Sequence, residues 1–265
     1  MAGIFVVGDV HGYLQPLVRC LQRAGLVDEA GGWQAGQAVL WFLGDYVDRG
    51  PDSMGVVDYV MALQQQAAAR GGRVNALLGN HDVAMLAAHR FGDRLAPGLQ
   101  RSFIAEWLAL GGREEELARL ERRHVAWLAQ LPALAAVNDT LLAHADSPFY
   151  LEYGDTLEAI NAAVAGVLES DDVEAWSGLL AGFNEHRAFV DGKKNGHVKL
   201  RAMLDRLGAQ RLVHGHTPIF TLTGQAPSAV LGPLVYAEGR CVNLDGCFYA
   251  GGPGFVWRLD RQGAA

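Results

Sequence analysis

The sequence predicts an α/β fold, and three observations support that prediction. Short apolar runs alternate with segments of helical periodicity along the 265 residues. Each apolar run ends in a polar cluster that contains Asp, Asn or His. Glycine makes up 33 residues of the chain, well above the usual share of about 7%, and lies at the edges of these clusters, where tight loops are expected. No linker divides the chain, so a single domain over residues 1–265 is expected.

Five apolar runs are predicted to be strands that carry polar residues at their carboxyl ends. The runs cover residues 4–7, 39–43, 74–78, 141–143 and 211–213. They lead into GDVHG, GDYVDRG, GNHD, a single His and HGHTP. Ligands of open α/β sheets bind outside the carboxyl ends of the strands. The sequence therefore predicts one site assembled from five strand ends.

Helical periodicity fills the intervals between these strands. Helices are expected over residues 14–24, 53–69, 99–109, 113–130, 156–169 and 198–207. The segments 83–130 and 150–200 are mostly helical and are interpreted as insertions that wall a substrate cleft. The C-terminal part returns to short strands in VYAEGR, CVNLDG and FVWRL.

The composition excludes several classes of protein. The formal net charge is −7 and no Lys- or Arg-rich run is present, so nucleic-acid binding through a basic face is not expected. Three cysteines without a CxxC pair do not make a disulfide framework. Neither a membrane-spanning apolar run nor a signal peptide is recognisable. A soluble cytoplasmic protein without a membrane partner is therefore expected.

The polar strand ends supply a donor set for divalent cations. They combine carboxylate, imidazole and amide groups without thiolate, which suits manganese, iron or zinc. The candidate ligands are Asp9, His11, Asp45, Asn80, His144 and His216. Any one of these clusters alone is more often a turn or a helix cap. Five of them in order after apolar runs favour a pair of metal ions, which activates water for in-line displacement at phosphorus.

The motifs GDVHG, GDYVDRG and GNHD, followed by a strand-end His and GHTP, resemble those of the calcineurin-like metallophosphoesterases. GDYVDRG is typical of the phosphoprotein phosphatase branch, and GGRVNALLGNHDVAML is similar to the bacterial-type, Shewanella-like phosphatases. The motifs span residues 8–218 in order. The resemblance implies a β-sandwich flanked by helices, with two metal ions at one edge.

The resemblance also divides the six donors between two metal ions. It implies first-metal ligands Asp9 and His11, a bridging Asp45, and second-metal ligands Asn80, His144 and His216. The expected metal is manganese, with iron and zinc as alternatives. His214, two residues before His216, is kept as a second choice of ligand, against the alternative of a hydrogen-bonded histidine that only lines the site.

Four further residues receive roles from the same resemblance. His81 is expected to protonate the leaving oxygen, and Asp48 to orient His81 and raise its pKa. The planar guanidinium of Arg49 suits bidentate hydrogen bonding to two phosphate oxygens. Arg187, in FNEHRAF, is the candidate for the second phosphate-binding arginine that is usual in the family.

The chain departs from the family pattern at three places. GNHD replaces the usual GNHE, which makes Asp82 one carbon shorter. Asp146 stands beside His144, where it would either repel a bulky anionic substrate or orient His144. NLDGCFYAGG replaces the C-terminal loop of the eukaryotic enzymes, and structural roles are favoured there for Asp245 and Tyr249.

Three functions remain open at the level of sequence. The first is hydrolysis of phosphoserine or phosphothreonine in proteins, with phosphotyrosine as a further substrate. The second is hydrolysis of dinucleoside polyphosphates, which needs walls that stack on bases; Trp107, Trp127 and Phe183 are candidates, although core packing is favoured for them. The third is a non-catalytic phosphate-binding scaffold, which the complete set of motif residues disfavours. The expected partner is a phosphorylated protein or a small phosphoester.

Overall fold

A computed structural model describes residues 3–95, 97–98, 101–190 and 195–259. Its strands form a four-stranded and a five-stranded sheet. The strands are β1 (Ile4–Val7), β2 (Val39–Phe42), β3 (Arg73–Ala76), β4 (Leu134–Val137), β5 (Thr140–Ala143), β6 (Arg211–His214), β7 (Leu234–Tyr236), β8 (Cys241–Asn243) and β9 (Trp257–Arg258). All five predicted strands are present, and the predicted α/β class is confirmed.

The first sheet has the order β3-β2-β1-β9, with β1, β2 and β3 parallel. Val7 lies opposite Phe42, and Phe42 lies opposite Ala76. The three strands therefore end level with one another, and the loops that follow them leave the sheet at the same edge.

The second sheet has the order β4-β5-β6-β8-β7, with β5, β6 and β8 parallel. Val6 of the first sheet shares a buried apolar cluster with Leu142 and Val213 of the second. The two sheets therefore pack face to face, as predicted. At the site edge the Gly215 amide donates to the His144 carbonyl at 3.0 Å, which joins the loops after β5 and β6.

Ten α-helices surround the sheets within the described residues. They are α1 (Leu14–Arg23), α2 (Ser53–Ala69), α3 (Asn80–Phe91), α4 (Phe103–Leu110), α5 (Glu114–Arg119), α6 (Arg122–Ala129), α7 (Leu157–Glu169), α8 (Val173–Phe183), α9 (Gly196–Arg206) and α10 (Ile219–Thr223). None of these helices has the length and apolar character needed to cross a bilayer. The predicted single domain is not tested by these observations and stays a prediction.

Side-chain caps explain where four of the helices begin. The side chains of Asp52, Ser102, Thr156 and Asp172 accept backbone N–H groups from the first turns of α2, α4, α7 and α8. Each satisfies a donor that the helix cannot pair internally. The helix predicted over 99–109 therefore starts at residue 103, and its predicted residues 99 and 100 lie outside the described part of the chain.

One predicted helix is wrong. The periodicity of residues 113–130 indicates a single helix, but the structure has two, α5 and α6, with an extended backbone at Leu120 and Glu121 between them. The Glu121 amide donates to His124 Nδ1 at 3.0 Å, and His124 Nε2 lies 3.0 Å from Asp58 Oδ1 on α2. The cap formed by His124, which Asp58 of another helix holds in place, starts a new helix, and apolar periodicity does not report such a break.

Candidate metal centre

The loops after β1, β2, β3, β5 and β6 meet at one edge of the sandwich and bring the six expected ligands together. Asp9, His11, Asp45, Asn80 and His144 are buried, and His216 is partly exposed. His11, Asp45 and His216 have φ values of 50°, 55° and 65°. A left-handed backbone is costly for residues with a Cβ and is concentrated at functional sites. The two sheets thus supply one shared cluster, with strained backbone at three of its members.

The Asp45 carboxylate lies between two imidazole rings and faces each with a different oxygen. Its Oδ2 is 3.5 Å from His11 Nε2, and its Oδ1 is 3.4 Å from His144 Nε2. Each ring is oriented by a backbone carbonyl, since His11 Nδ1 donates to Val47 at 3.1 Å and His144 Nδ1 donates to Leu43 at 2.9 Å. Both Nε2 atoms are therefore unprotonated and face the Asp45 carboxylate, and a carbonyl at Nδ1 orients each ring, as is common for histidines that bind metals.

Asn80 adds an amide oxygen to the second half of the cluster. Its Oδ1 lies 2.9 Å from His144 Nε2 and 3.0 Å from His216 Nδ1, while its Nδ2 donates to Asn184 Oδ1 at 2.8 Å. Oxygen and nitrogen lone pairs thus converge on one point. A divalent cation satisfies all three, whereas turning the amide over sets its oxygen 2.8 Å from Asn184 Oδ1. The donor set fits a metal ion with the amide as it stands.

Burial controls the protonation of these groups. It raises the pKa of Asp9 and of Asp45, with the neighbouring carboxylates adding to the effect. It lowers the pKa of His11 and brings the pKa of His144 to about 3. The imidazoles are therefore neutral near pH 7, which is the form that binds metal. Two buried carboxylates side by side call for a compensating cation, which again fits a metal.

His81 and Asp48 form a second group beside this cluster. His81 Nδ1 donates to Asp48 Oδ2 at 2.7 Å, and both side chains are buried. Arg49 donates to His81 Nε2 and to His11 Nε2, each at 2.9 Å. The net pKa of His81 is nevertheless lowered, so the raising effect expected of Asp48 does not set its direction. Burial, followed by the neighbouring His11 and Arg49, lowers the pKa of His81.

Arg187 lies in the same cleft as Arg49. The cleft is a cavity of about 380 Å³. Its lining residues are Arg49, Asn80, Leu110, Asn184, His186, Arg187, His216, Thr217, Pro218 and Thr221. Arg187 Nη2 donates to Thr221 Oγ1 at 2.7 Å, and its buried Nε has no hydrogen-bond partner among the residues that the structure describes. The structure thus brings two arginines to a cavity beside the candidate ligands.

Asp82 has a structural part in the site. Its carboxylate accepts the amides of Gly79 and Asp45 at 2.9 Å each, and the amide of Tyr46 at 3.1 Å. The shorter side chain of GNHD therefore ties the loop after β2 to the start of α3, and it holds Asp45 in place.

Asp146 also ties loops together. Its oxygens accept from the Arg187 amide at 3.0 Å, the Thr217 hydroxyl at 2.7 Å and the Tyr236 hydroxyl at 3.1 Å. These bonds point the carboxylate into the fold, so neither expected role is observed. The His144 ring is oriented by a carbonyl, and Asp146 instead fixes the Arg187 loop.

His214 is a hydrogen-bonded core residue. It is fully buried, its Nδ1 donates to the Gly215 carbonyl at 2.8 Å, and its Nε2 lies 2.8 Å from the Tyr236 hydroxyl oxygen. Both ring nitrogens are engaged away from the cluster. The choice of His216 over His214 as the candidate ligand is therefore supported by the geometry.

Sequence reasoning missed or undervalued three neighbours of the cluster. Asn184 holds the Asn80 amide, and its position three residues before Arg187 was the available signal. The Tyr249 ring lies 4.4 Å from the Arg49 guanidinium carbon and stacks under it. Asp245 is buried, and within the described part of the chain one of its oxygens, Oδ2, has no hydrogen-bond partner. Burial raises the pKa of Asp245 to about 6.

Gly215 lies directly against a candidate ligand. A Cβ at this position would stand 2.1 Å from Asp9 Oδ1, closer than any real contact. We expect Gly215→Ala to displace Asp9 and to weaken Mn²⁺ binding roughly tenfold or more, measured by calorimetric titration of metal-stripped protein. Gly166→Ala in α7, where nothing lies within 4 Å of the added Cβ, should bind like the wild type. Unchanged binding by Gly215→Ala would show that Asp9 is not a ligand.

Comparison with known proteins agrees with this geometry. A family model described as calcineurin-like phosphoesterase matches residues 3–220. The chain belongs to this family. The family uses two metal ions, and the cluster of Asp and His residues in this calcineurin-like phosphoesterase offers candidate ligands for them.

Individual relatives of this phosphoesterase carry two different activities in their names. It is 29% identical to the symmetrical bis(5'-nucleosyl)-tetraphosphatase of Marinomonas sp. (strain MWYL1), over 97% of its own length and 94% of the relative. It is 28% identical to Shewanella-like protein phosphatase 2 of Arabidopsis thaliana, over 43% of its own length and 29% of the relative. The chain thus spans less than a third of that plant protein.

A solved structure shows the same fold. The cold-active protein-tyrosine phosphatase of a psychrophile, Shewanella sp., superposes with a TM-score of 0.70 at 22% identity, over 98% of this phosphoesterase and 76% of that chain. The predicted resemblance to the family and to Shewanella-like phosphatases is confirmed.

Proposed function

We propose that this calcineurin-like phosphoesterase hydrolyses phosphoserine and phosphothreonine in proteins, with phosphotyrosine as a further substrate. The observation that carries the proposal is the cavity of about 380 Å³ beside the candidate ligands. Arg49 and Arg187 both line it, and its large apolar lining is limited to Leu110 and Pro218. A cavity of this volume accommodates a phosphoryl group with the side chain that carries it, and two guanidinium groups suit the negative charge of the phosphate.

The proposed division of the metal ligands follows the family resemblance, and the distances within the cluster are compatible with it. Asp9 and His11 would hold the first ion, Asn80, His144 and His216 the second, and Asp45 both. When bound, two divalent cations polarise the phosphoryl oxygens and lower the pKa of an attacking water molecule. Manganese is the proposed metal, because the donor set lacks thiolate and offers carboxylate, amide and imidazole. The cytoplasm is the proposed location.

The protein's own residues would bind the phosphate and move one proton. Arg49 and Arg187 would grip its non-bridging oxygens, which are the natural partners of planar guanidinium groups. An entering phosphate dianion competes for Arg49, which now donates to His81 Nε2 at 2.9 Å. Negative charge beside His81 favours its protonated form. His81 would then give a proton to the leaving oxygen, while Asp48 holds Nδ1 at 2.7 Å.

Hydrolysis of dinucleoside polyphosphates is the second candidate, and similarity to the Marinomonas tetraphosphatase over nearly the whole chain favours it. A nucleobase needs an aromatic wall to stack on. Trp107 and Phe183 are buried in the core, and Trp127 packs against Tyr46, at 5.2 Å between ring centroids. None of the three lines the described cavity, and this supports the first candidate. The hypothesis of a non-catalytic phosphate-binding scaffold is disfavoured, because every expected motif residue is in place.

The substrate is tested by initial rates of phosphate release from manganese-reconstituted protein. We expect phosphopeptides to be hydrolysed faster than diadenosine tetraphosphate. Asn80→Ala is the control, and it should abolish both activities if both depend on the metal cluster. Faster hydrolysis of the dinucleotide would overturn the substrate proposal. Turnover of any substrate that Asn80→Ala leaves intact would overturn the role of the cluster.

A further inference from the structure

The helical insertion after α3 reaches back onto the loop that carries Asp48 and Arg49. Trp107 in α4 is fully buried, and its indole Nε1 donates to Asp48 Oδ1 at 2.8 Å. Three residues beyond α4 the Arg113 side chain donates to the Gly50 carbonyl at 2.8 Å. The insertion, expected as a wall of the cleft, therefore also contacts the backbone and a side chain of the catalytic loop.

The Asp48 carboxylate is held by one N–H donor on each oxygen. Trp107 Nε1 donates to Oδ1 at 2.8 Å, and His81 Nδ1 donates to Oδ2 at 2.7 Å. The Asp48 amide donates to Ser53 Oγ at 2.9 Å, and its backbone has a φ of 68°. With backbone and both oxygens fixed, the carboxylate has one orientation. That orientation sets the plane of the His81 ring and the direction of its Nε2.

We propose that Trp107 is a positioning residue for proton transfer by His81. The inference rests on the proposed function of His81 as the proton donor. Without the indole N–H, Asp48 Oδ1 is left buried with no donor, a costly state that the carboxylate relieves by turning away. Turning breaks the second bond, to His81 Nδ1. Trp107 therefore acts on the reaction through Asp48, without touching the substrate.

The loss of activity in a protein without the Trp107 indole N–H should depend on the leaving group of the substrate. An alkoxide such as that of serine leaves poorly unless it is protonated, whereas p-nitrophenolate leaves without a proton. A defect confined to proton donation therefore affects a phosphoserine peptide far more than p-nitrophenyl phosphate. A general disturbance of fold or metal binding lowers both rates together.

The test is Trp107→Phe, which removes the donor and keeps an aromatic ring. We expect kcat on a phosphoserine peptide to fall about tenfold or more, and kcat on p-nitrophenyl phosphate to change less than about threefold. Metal content should equal that of the wild type. Trp33→Phe is the matched control: Trp33 is also fully buried and its Nε1 donates to the Gly36 carbonyl at 3.0 Å, near the opposite end of β2. The kcat of Trp33→Phe on each of the two substrates should match that of the wild type.

Equal losses on the two substrates in Trp107→Phe would overturn the positioning role. If Trp107→Phe does not fold, benzothienylalanine at position 107 replaces the N–H by sulfur with the ring shape kept, and the same ratio is measured. His81→Asn removes the proposed proton donor itself. Its ratio of kcat on the phosphoserine peptide to kcat on p-nitrophenyl phosphate shows the largest change that loss of proton donation can produce. Wild-type protein that hydrolyses neither substrate would refute the proposed function. Active wild type with an unchanged ratio in the position-107 variants would refute only the inference about Trp107.

Discussion

Replacing His81 with asparagine is expected to lower kcat on a phosphoserine peptide by roughly 10²- to 10⁴-fold, the usual contribution of a general acid. The variant lacks the ring nitrogen that is proposed to carry the proton in the substrate complex, so the leaving alkoxide departs without assistance. The metal cluster should remain intact, because Asp45 and His144 keep their contact at 3.4 Å. Initial rates and metal analysis of the same sample check both statements.

His89→Asn is the control for this prediction. His89 lies in the last turn of the same helix, α3, and is exposed. The substitution removes an identical ring from the same helix without reaching the cleft, so both kcat and metal content should match the wild type. Unchanged turnover in His81→Asn would reject its role as proton donor, and a drop in metal content would make it a member of the metal cluster.

Replacing Asp45 with asparagine is expected to weaken metal binding at both halves of the cluster. Each Asp45 oxygen faces a different imidazole, at 3.5 Å from His11 and 3.4 Å from His144. An amide keeps one oxygen, presents hydrogens in place of the other, and removes the charge that two cations would share. We expect affinity to fall more than about 100-fold, beyond the usual effect of losing a group that only supports a ligand.

The measurement for Asp45→Asn is metal content per chain after manganese loading and gel filtration. Asp171→Asn is the matched control, because that side chain is 87% exposed and forms an ion pair with Arg90 on the surface. It should keep the metal content of the wild type. Two fully occupied ions in Asp45→Asn would contradict the bridging role, and loss of one ion alone would assign Asp45 to a single metal.

The parts of the site that the sequence predicts are those fixed by strand ends. Asp9, Asp45 and Asn80 lie two, three and four residues beyond the ends of parallel strands, so their meeting at one edge is a consequence of sheet geometry. The placement of Arg187 depends on a loop held by the Asp146 carboxylate, a contact across 41 residues that periodicity does not encode. Trp107 was assigned to the core, and it is buried; only the structure shows that its N–H is directed at Asp48.

Helix boundaries also differ in whether the sequence alone predicts them. The start of α2 follows from Asp52, a local cap that is legible in the sequence. The break between α5 and α6 depends on Asp58 of another helix, which engages His124. Local chemistry is therefore predictable residue by residue, whereas a boundary set by a distant partner requires the fold.

The left-handed backbone at His11, Asp45, Asp48 and His216 has a consequence for the evolution of this chain. Such conformations cost about 1–3 kcal/mol each in residues with a Cβ. The free energy of unfolding is therefore lowered by four residues of the candidate site. A descendant released from catalysis would gain stability by accepting glycine or asparagine there. His and Asp at these four positions therefore lower stability, which is the pattern expected where the site needs the side chains themselves.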